Sequence, residues 1–279
     1  MGRRDRLVLA TKYTLSSQAD DPNSGGNHRK SMVRSVERSL DRLKTDYLDL
    51  LYLHAWDATT PVEEILRAMD DLVRAGKVLY LGISDTPAWQ VSRMQAVADL
   101  RGWSPLIALQ IEYSLLERTV ERDLIPMAGE MGLGVVPWSP LGSGVLTGKY
   151  SHADLAPTGA PVSAEGTRRD IALGNGALTE RSLGIADAVK EVAAEIGTTP
   201  SRVALAWTLL NPGVTSTITG ARTAAQLADN LGALDVELAD AHVARLAAVS
   251  EVPLGFPHAF LQLPLTRHVV FGDVRLASR

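Results

Sequence analysis

Six short apolar runs, Leu7–Thr11, Tyr47–Leu53, Val78–Ser84, Leu106–Gln110, Gly134–Trp138 and Ser216–Thr219, alternate with stretches whose apolar residues recur at helical spacing. This alternation constrains the fold more than any other property of the chain. Arg29–Leu43 carries Met32, Val33, Val36, Leu40 and Leu43 on one face, and Pro61 opens a second such stretch that ends at Gly76. Further helical patterns cover Pro87–Leu100, Glu121–Met131, Glu180–Ile196, Pro200–Leu210, Ala224–Leu231 and Ala239–Val249. Strands that alternate with helices pair in parallel, because each crossover carries the chain back to the starting end of the sheet. Tyr47–Leu53 is apolar throughout except for Asp49, as expected of a strand covered on both faces.

Two parallel architectures compete. A doubly wound nucleotide-binding sheet carries Gly-x-Gly-x-x-Gly after its first strand, whereas Thr11-Lys12-Tyr13-Thr14 contains no glycine. A closed barrel needs eight strands, of which six can be read. The predicted fold class is therefore α/β, a (β/α)8 TIM-barrel type truncated to six strands, with the first two βα units absent. Residues 1–279 are expected to form one domain, with a long loop over 150–178, rich in Gly, Ala, Pro and Ser, and an irregular tail over 253–279.

The 279 residues suffice for one large core, and a net charge of -4 with a pI near 5.9 argues against a partner bound through a phosphate backbone. The chain has no cysteine, which excludes disulfides, thiolate metal sites and cysteine nucleophiles. Met-Gly-Arg-Arg-Asp-Arg leads into too few apolar residues for a signal sequence, and no run reaches membrane-spanning length. A cytoplasmic protein with neither nucleic-acid nor membrane partners is expected.

Residues just past the C-terminal ends of barrel strands face the active site. His54 ends the second run and Lys12 the first, and neighbouring parallel strands lie about 4.8 Å apart, so the two can converge. A histidine can polarise a carbonyl, and a lysine beside it can shift the proton affinity of a neighbouring donor. A core histidine bonded to a carbonyl and a solvated loop lysine would explain each residue taken singly. The loop Gly142-Ser143-Gly144 to Gly148-Lys149 fails the Walker A spacing, since Ser143 and Tyr150 stand where glycine and Ser or Thr are needed, and a phosphate-cradling loop of another type is expected there, with a flexible turn as its plain alternative. Ile218-Thr-Gly-Ala-Arg222, ahead of a helix, is a second candidate anion site, with an ordinary surface arginine as its plain alternative. The histidines lack metal-ligand spacing, so no metal site is expected.

Taken in order, Leu9-Ala-Thr-Lys12, Asp46-Tyr-Leu-Asp-Leu-Leu-Tyr-Leu-His54, Leu81-Gly-Ile-Ser-Asp85, Gln110-Ile-Glu-Tyr113, Trp138-Ser-Pro-Leu-Gly-Ser-Gly144 and Ile218-Thr-Gly-Ala-Arg222 with Gln226 and Asn230 resemble the aldo-keto reductases. The resemblance runs from Arg3 to about Val249. It implies a (β/α)8 barrel that binds NADPH in extended form without a Rossmann domain, which agrees with the missing glycine fingerprint. It also implies that Lys12 and His54 fill two places of an Asp-Tyr-Lys-His catalytic tetrad. Ser84, Asp85 and Gln110 would hold the nicotinamide carboxamide, and Trp138 would stack on its ring. Ser139, Leu141, Gly142, Ser143 and Gly144 would follow the pyrophosphate, and Gly220, Arg222, Gln226 and Asn230 the adenosine 2′-phosphate end.

Two departures accompany the resemblance. Asp85 stands where asparagine is usual, and the tetrad Asp and Tyr have no counterpart ahead of Lys12. The expected function is NADPH-dependent reduction of aldehydes or ketones to alcohols, impaired in so short a chain. The alternative is a non-catalytic nicotinamide-nucleotide-binding or scaffolding protein of the same fold. A small carbonyl compound is the expected substrate, and the barrel edges are expected to support a homo-oligomer. Trp56, Trp103, Phe256, His258, Phe260 and the 150–178 loop are candidates for a substrate pocket, whose apolar character suits aromatic or bulky carbonyls.

Overall fold

The computed structural model describes residues 4–155 and 166–274. Strand β1 (Ala10–Tyr13) is followed by α1 (Arg29–Leu43), β2 (Leu48–Leu53), α2 (Val62–Arg74), β3 (Val78–Ser84), α3 (Ala88–Arg101), β4 (Leu106–Glu112), α4 (Leu124–Glu130) and β5 (Gly134–Trp138). Helices then dominate: α5 (Arg168–Gly174), α6 (Glu180–Glu195), α7 (Pro200–Leu209), α8 (Ala224–Leu231), α9 (Asp240–Val249), α10 (His258–Gln262) and α11 (Pro264–Phe271).

The five strands pair in parallel in the order β1-β2-β3-β4-β5. Each new strand adds to the same side of the last, so right-handed crossovers send every connecting helix to one face of the sheet. A doubly wound sheet would reverse direction and cover both faces, whereas this winding is that of a barrel wall. The register and the two-residue alternation of strands divide the side chains. Tyr13, Leu53, Ile83, Leu109 and Val135 form one row across all five strands and are buried under the helices with Met32, Val36, Ile65, Met69, Val91 and Met94. Lys12, Tyr52, Gly82, Ala108 and Gly134 form the adjacent row, on the helix-free face.

The structure departs from the sequence expectations in several places. The first strand begins at Ala10 and not Leu7, because the Leu9 amide donates to the Asp49 carboxylate at 2.8 Å, leaving Leu7 and Val8 exposed. Asp49 thus has a clear role inside an apolar strand, pairing also with Arg4 at 2.7 Å. The sixth run, Ser216–Thr219, is not a strand. Val214 makes one isolated bridge to Val135, and the segment then follows β5 through amides of Thr215 and Ile218 donating to Val135 and Pro137 carbonyls. Pro137 has no N–H to continue a ladder.

The expected helix over Glu121–Met131 is a 3-10 turn, Thr119–Glu121, followed by the shorter α4. Within the stretch expected to be a loop, residues 156–165 lie outside the described residues, and α5 is a helix closed by a Thr167–Asp170 capping box. The tail expected to be irregular carries α10 and α11, tied down by Arg122 donating to the Pro253 carbonyl at 3.1 Å and by His258 paired with Asp123 at 2.8 Å. Trp103, a candidate for the substrate pocket, lies in the α3–β4 connection near Arg67, at the end of the sheet away from His54.

Candidate active site

The helix-free face of the sheet is polar toward the C-terminal ends of its strands. Lys12 and Tyr52 are register partners on β1 and β2, and Ser84 and Gln110 are partners on β3 and β4. Glu112 and Trp138 are partners on β4 and β5. The Lys12 ammonium donates to the Ser84 hydroxyl at 3.3 Å, reaching past β2 to do so. It can cross because Tyr52 leans away over Gly82, where an added Cβ would fall 2.4 Å from the ring. Ser84 and Gln110 are buried, whereas Lys12, His54, Glu112 and Trp138 are half-buried. Asp85, in a left-handed conformation at φ 40, is exposed and accepts from the Trp138 indole at 2.9 Å. The structure thus gathers Lys12, His54, Ser84, Asp85, Gln110 and Trp138 at one end of one face.

Burial pushes the Lys12 ammonium below its ordinary value, an effect Asp85 partly offsets. The His54 imidazole is held below its ordinary value by burial and by Lys12, against the pull of Asp85. The Lys12 ammonium is thereby made easier to deprotonate, and the His54 imidazole is favoured in its neutral form at neutral pH. The Glu112 carboxyl is pushed up by burial, then by Glu117 and Asp85. These groups form a coupled set, with positive charge toward β1 and β2 and negative charge toward β3 to β5.

His54 is positioned from behind by a hydrogen-bonded chain. Its amide donates to the Tyr13 carbonyl at 3.1 Å and the Thr14 hydroxyl at 3.3 Å. Thr14 donates to the Asn27 side chain at 2.7 Å, and the Asn27 amide donates to Asp57 at 2.7 Å. Burial alone would raise the Asp57 carboxyl, but amides of Thr60, Asn27 and Thr59 and the Thr60 hydroxyl donate to it and hold it down to about 2. The Thr14–Asn27–Asp57 chain escapes sequence reading, because its members lie in loops with no fixed spacing.

The remaining site residues surround a cavity of about 870 Å³ that starts where β5 ends. Ser139, Leu141, Ser143, Gly144, Gly220, Arg222, Gln226 and Asn230 all line it. Gly142 lies beneath, at φ 52, where a Cβ would strike Leu116 at 2.4 Å. Asn230 donates to Thr219 at 2.8 Å, and the Arg222 amide donates to Gln226 at 2.9 Å, so the turn and the first part of α8 brace each other. Lys149 and Arg168 also line the cavity. Lys149 ends the candidate phosphate-binding loop read from the sequence, whereas Arg168 was passed over, because it sits in a segment without apolar periodicity.

Lys149, Arg168 and Arg222 form no ion pair with another described residue, whereas the one carboxylate in the lining, Asp229, is paired with Arg202 at 2.9 Å. A cavity with three cations, a compensated carboxylate and glycine at its tightest turn fits a phosphorylated nucleotide. A second cavity of about 470 Å³ runs beside β1 and is lined by Lys12, His54, Arg38 and Arg42 among others. Among the described residues, no group of three or more His, Asp or Glu is placed to hold a metal, and no helix is long and apolar enough to cross a membrane.

The profile of the aldo/keto reductase family matches residues 1–251. A norsolorinic acid reductase of Emericella nidulans is 38% identical over 265 residues, covering 93% of this chain and 65% of the relative. A putative aryl-alcohol dehydrogenase of Saccharomyces cerevisiae is 34% identical over 265 residues, covering 92% and 90%. A probable voltage-gated potassium channel subunit beta of Oryza sativa subsp. japonica is 39% identical over 235 residues, covering 84% and 70%. The chain spans 64–65% of the length of the norsolorinic acid reductases it matches.

Proposed function

The chain belongs to the aldo/keto reductase family, a family of (β/α)8 barrels, and on that premise we propose that it is an NADPH-dependent oxidoreductase that reduces aldehydes or ketones to alcohols. The observation that carries this reading is the convergence of Lys12, His54, Ser84, Gln110 and Trp138 on one sheet face, beside a cation-lined cavity that opens where that face ends.

Ser84, Asp85 and Gln110 would hold the nicotinamide carboxamide and Trp138 its ring. Ser139, Leu141, Ser143 and Gly144 would follow the pyrophosphate, with Lys149 and Arg168 as additional counter-charges. Gly220, Arg222, Gln226 and Asn230 would take the adenosine end, where a guanidinium favours the 2′-phosphate of NADPH over the hydroxyl of NADH. When bound, the cofactor supplies the hydride that the carbonyl carbon accepts. Lys12 and His54 polarise the carbonyl oxygen, the imidazole as a neutral hydrogen-bond donor, and the lowered proton affinity of the Lys12 ammonium suits it to deliver the proton that completes the alcohol. Ser84 keeps the ammonium on the interior face. Aromatic carbonyl compounds are the substrate class proposed, on the apolar surfaces of Trp56 and Trp138 and the names of the relatives.

Quenching of protein fluorescence by NADPH, run beside an assay of aryl-aldehyde reduction, tests the proposal. Saturable binding with turnover, lost in Lys12→Met by about 100-fold or more while binding persists, is the expected result. Binding without turnover would replace it with the non-catalytic reading. A folded chain that binds no NADPH would overturn both.

A further inference from the structure

Two carboxylates flank the residue proposed to stack on the nicotinamide. Asp85 accepts from the Trp138 indole at 2.9 Å, and Glu112 is the register partner of Trp138 on β4. Neither forms an ion pair with a described residue within 4.0 Å, in contrast to Asp49, Asp70 and Asp229, each closed by an arginine. Their charge is therefore directed at whatever occupies that end of the face. The nearest opposing groups are Lys12 and His54, on the other side of Ser84, and burial lowers the proton affinity of both.

Resting on the function proposed above, we propose that Asp85, assisted by Glu112, makes the site select the oxidised, positively charged nicotinamide over the reduced, neutral one. A fixed negative charge a few ångströms from a ring that is cationic only when oxidised lowers the free energy of that state alone, because the neutral form has no net charge to attract. Glu112 is the weaker contributor, since its carboxyl is pushed up by burial and by Asp85 itself. An amide at position 85 would keep every hydrogen bond and drop the charge. It would still accept from Trp138, and asparagine tolerates the left-handed backbone that Asp85 adopts at φ 40. Asp85→Asn is thus a nearly pure test of charge. The consequence for the proposed reaction is a bias toward the alcohol-plus-oxidised-cofactor side on the protein, accompanied by slow release of NADP+.

The dissociation constants of NADP+ and NADPH, measured by calorimetry on the full chain and on Asp85→Asn, decide the matter. The ratio Kd(NADP+)/Kd(NADPH) should rise by about tenfold in the variant, roughly the effect of removing one solvent-screened charge. The rise should shrink at high salt, because Asp85 is exposed. Adenosine 2′,5′-bisphosphate, which reaches only the far end of the site, should bind both proteins equally. A ratio that moves by less than about twofold at low salt overturns this inference and leaves the proposed function standing. Failure of the unmodified chain to bind either dinucleotide overturns the proposed function, and this inference with it. Glu112→Gln should shift the ratio in the same direction by a smaller factor, and a shift in the opposite direction would also count against the inference.

Discussion

Replacing Gly82 with alanine should destabilise the sheet, and the cause should be traceable to one ring. A Cβ built on Gly82 falls 2.4 and 2.5 Å from Cε1 and Cδ1 of Tyr52, well inside the roughly 3.5–4.0 Å at which carbon atoms attract. The ring must retreat by about 1 Å to restore contact distance. It has little room to do so, since Tyr52 is 3% exposed, with Lys12 beside it on β1. Overpacking of this kind costs about 1–3 kcal/mol, whereas exchanging a strand glycine for alanine returns about 0.5–1 kcal/mol. Chemical denaturation should therefore show a net loss of about 1–2 kcal/mol, as a lower midpoint at unchanged slope. A second variant isolates the cause. Tyr52→Leu removes the clashing atoms, so adding Gly82→Ala in that background should be neutral or slightly stabilising, a coupling of about 1–3 kcal/mol between the two sites. If Gly82→Ala costs the same in both backgrounds, the ring is not responsible and the packing account fails.

Asp57, held at about 2 by its donors, has a folded-state pKa below its unfolded one. Its contribution is therefore present above pH ~4 and lost as the pH falls toward ~2; because the group is only half-buried and screened by solvent, it amounts to about 1 kcal/mol, and the stability gap between the unmodified chain and Asp57→Ala should close across that interval. Arg222→Ala should raise the Kd for NADPH by about tenfold and leave that for NADH within about twofold, since a guanidinium bonded to phosphate is worth about 1.5–3 kcal/mol before exposure is discounted. Equal losses for both cofactors would place Arg222 away from the 2′-phosphate.

What the sequence discloses is governed by how local each signal is. The helices α1 and α8 and the strands β3 and β5 have the boundaries that periodicity predicts, because each buries a face whose spacing depends only on its own geometry. The limits of β1 and of the segment after α7 depend on something else. Asp49 takes the amide that would have extended β1, and Pro137 withholds the donor that would have extended the sheet, and each acts from a neighbouring strand. The helices α10 and α11 leave Leu261, Leu265 and Val269 at 56%, 71% and 74% exposure, so they have no core-facing stripe to announce them. The site follows the same division. Lys12 and His54 are legible from their place at strand ends, but the Thr14–Asn27–Asp57 chain behind His54 and the cation Arg168 become visible only once the chain is folded.

The failure of Ser216–Thr219 to become a strand also bears on the cavity. In a complete ladder the amides of a strand alternate between its two neighbours and are used up. Here Thr215, Ser216 and Ile218 donate to β5, after which the chain leaves the sheet, and the amides of Thr219, Gly220 and Ala221 make no hydrogen bond to another described residue. These free donors line the cavity beside Arg222 and just ahead of α8, whose first amides add partial positive charge of their own. The end of β5 thus links fold and site. The segment pairs with β5 as far as Ile218, whose amide donates to the Pro137 carbonyl, and it stops pairing where β5 gives way to Ser139, so the amides that follow are released at the mouth of the cavity.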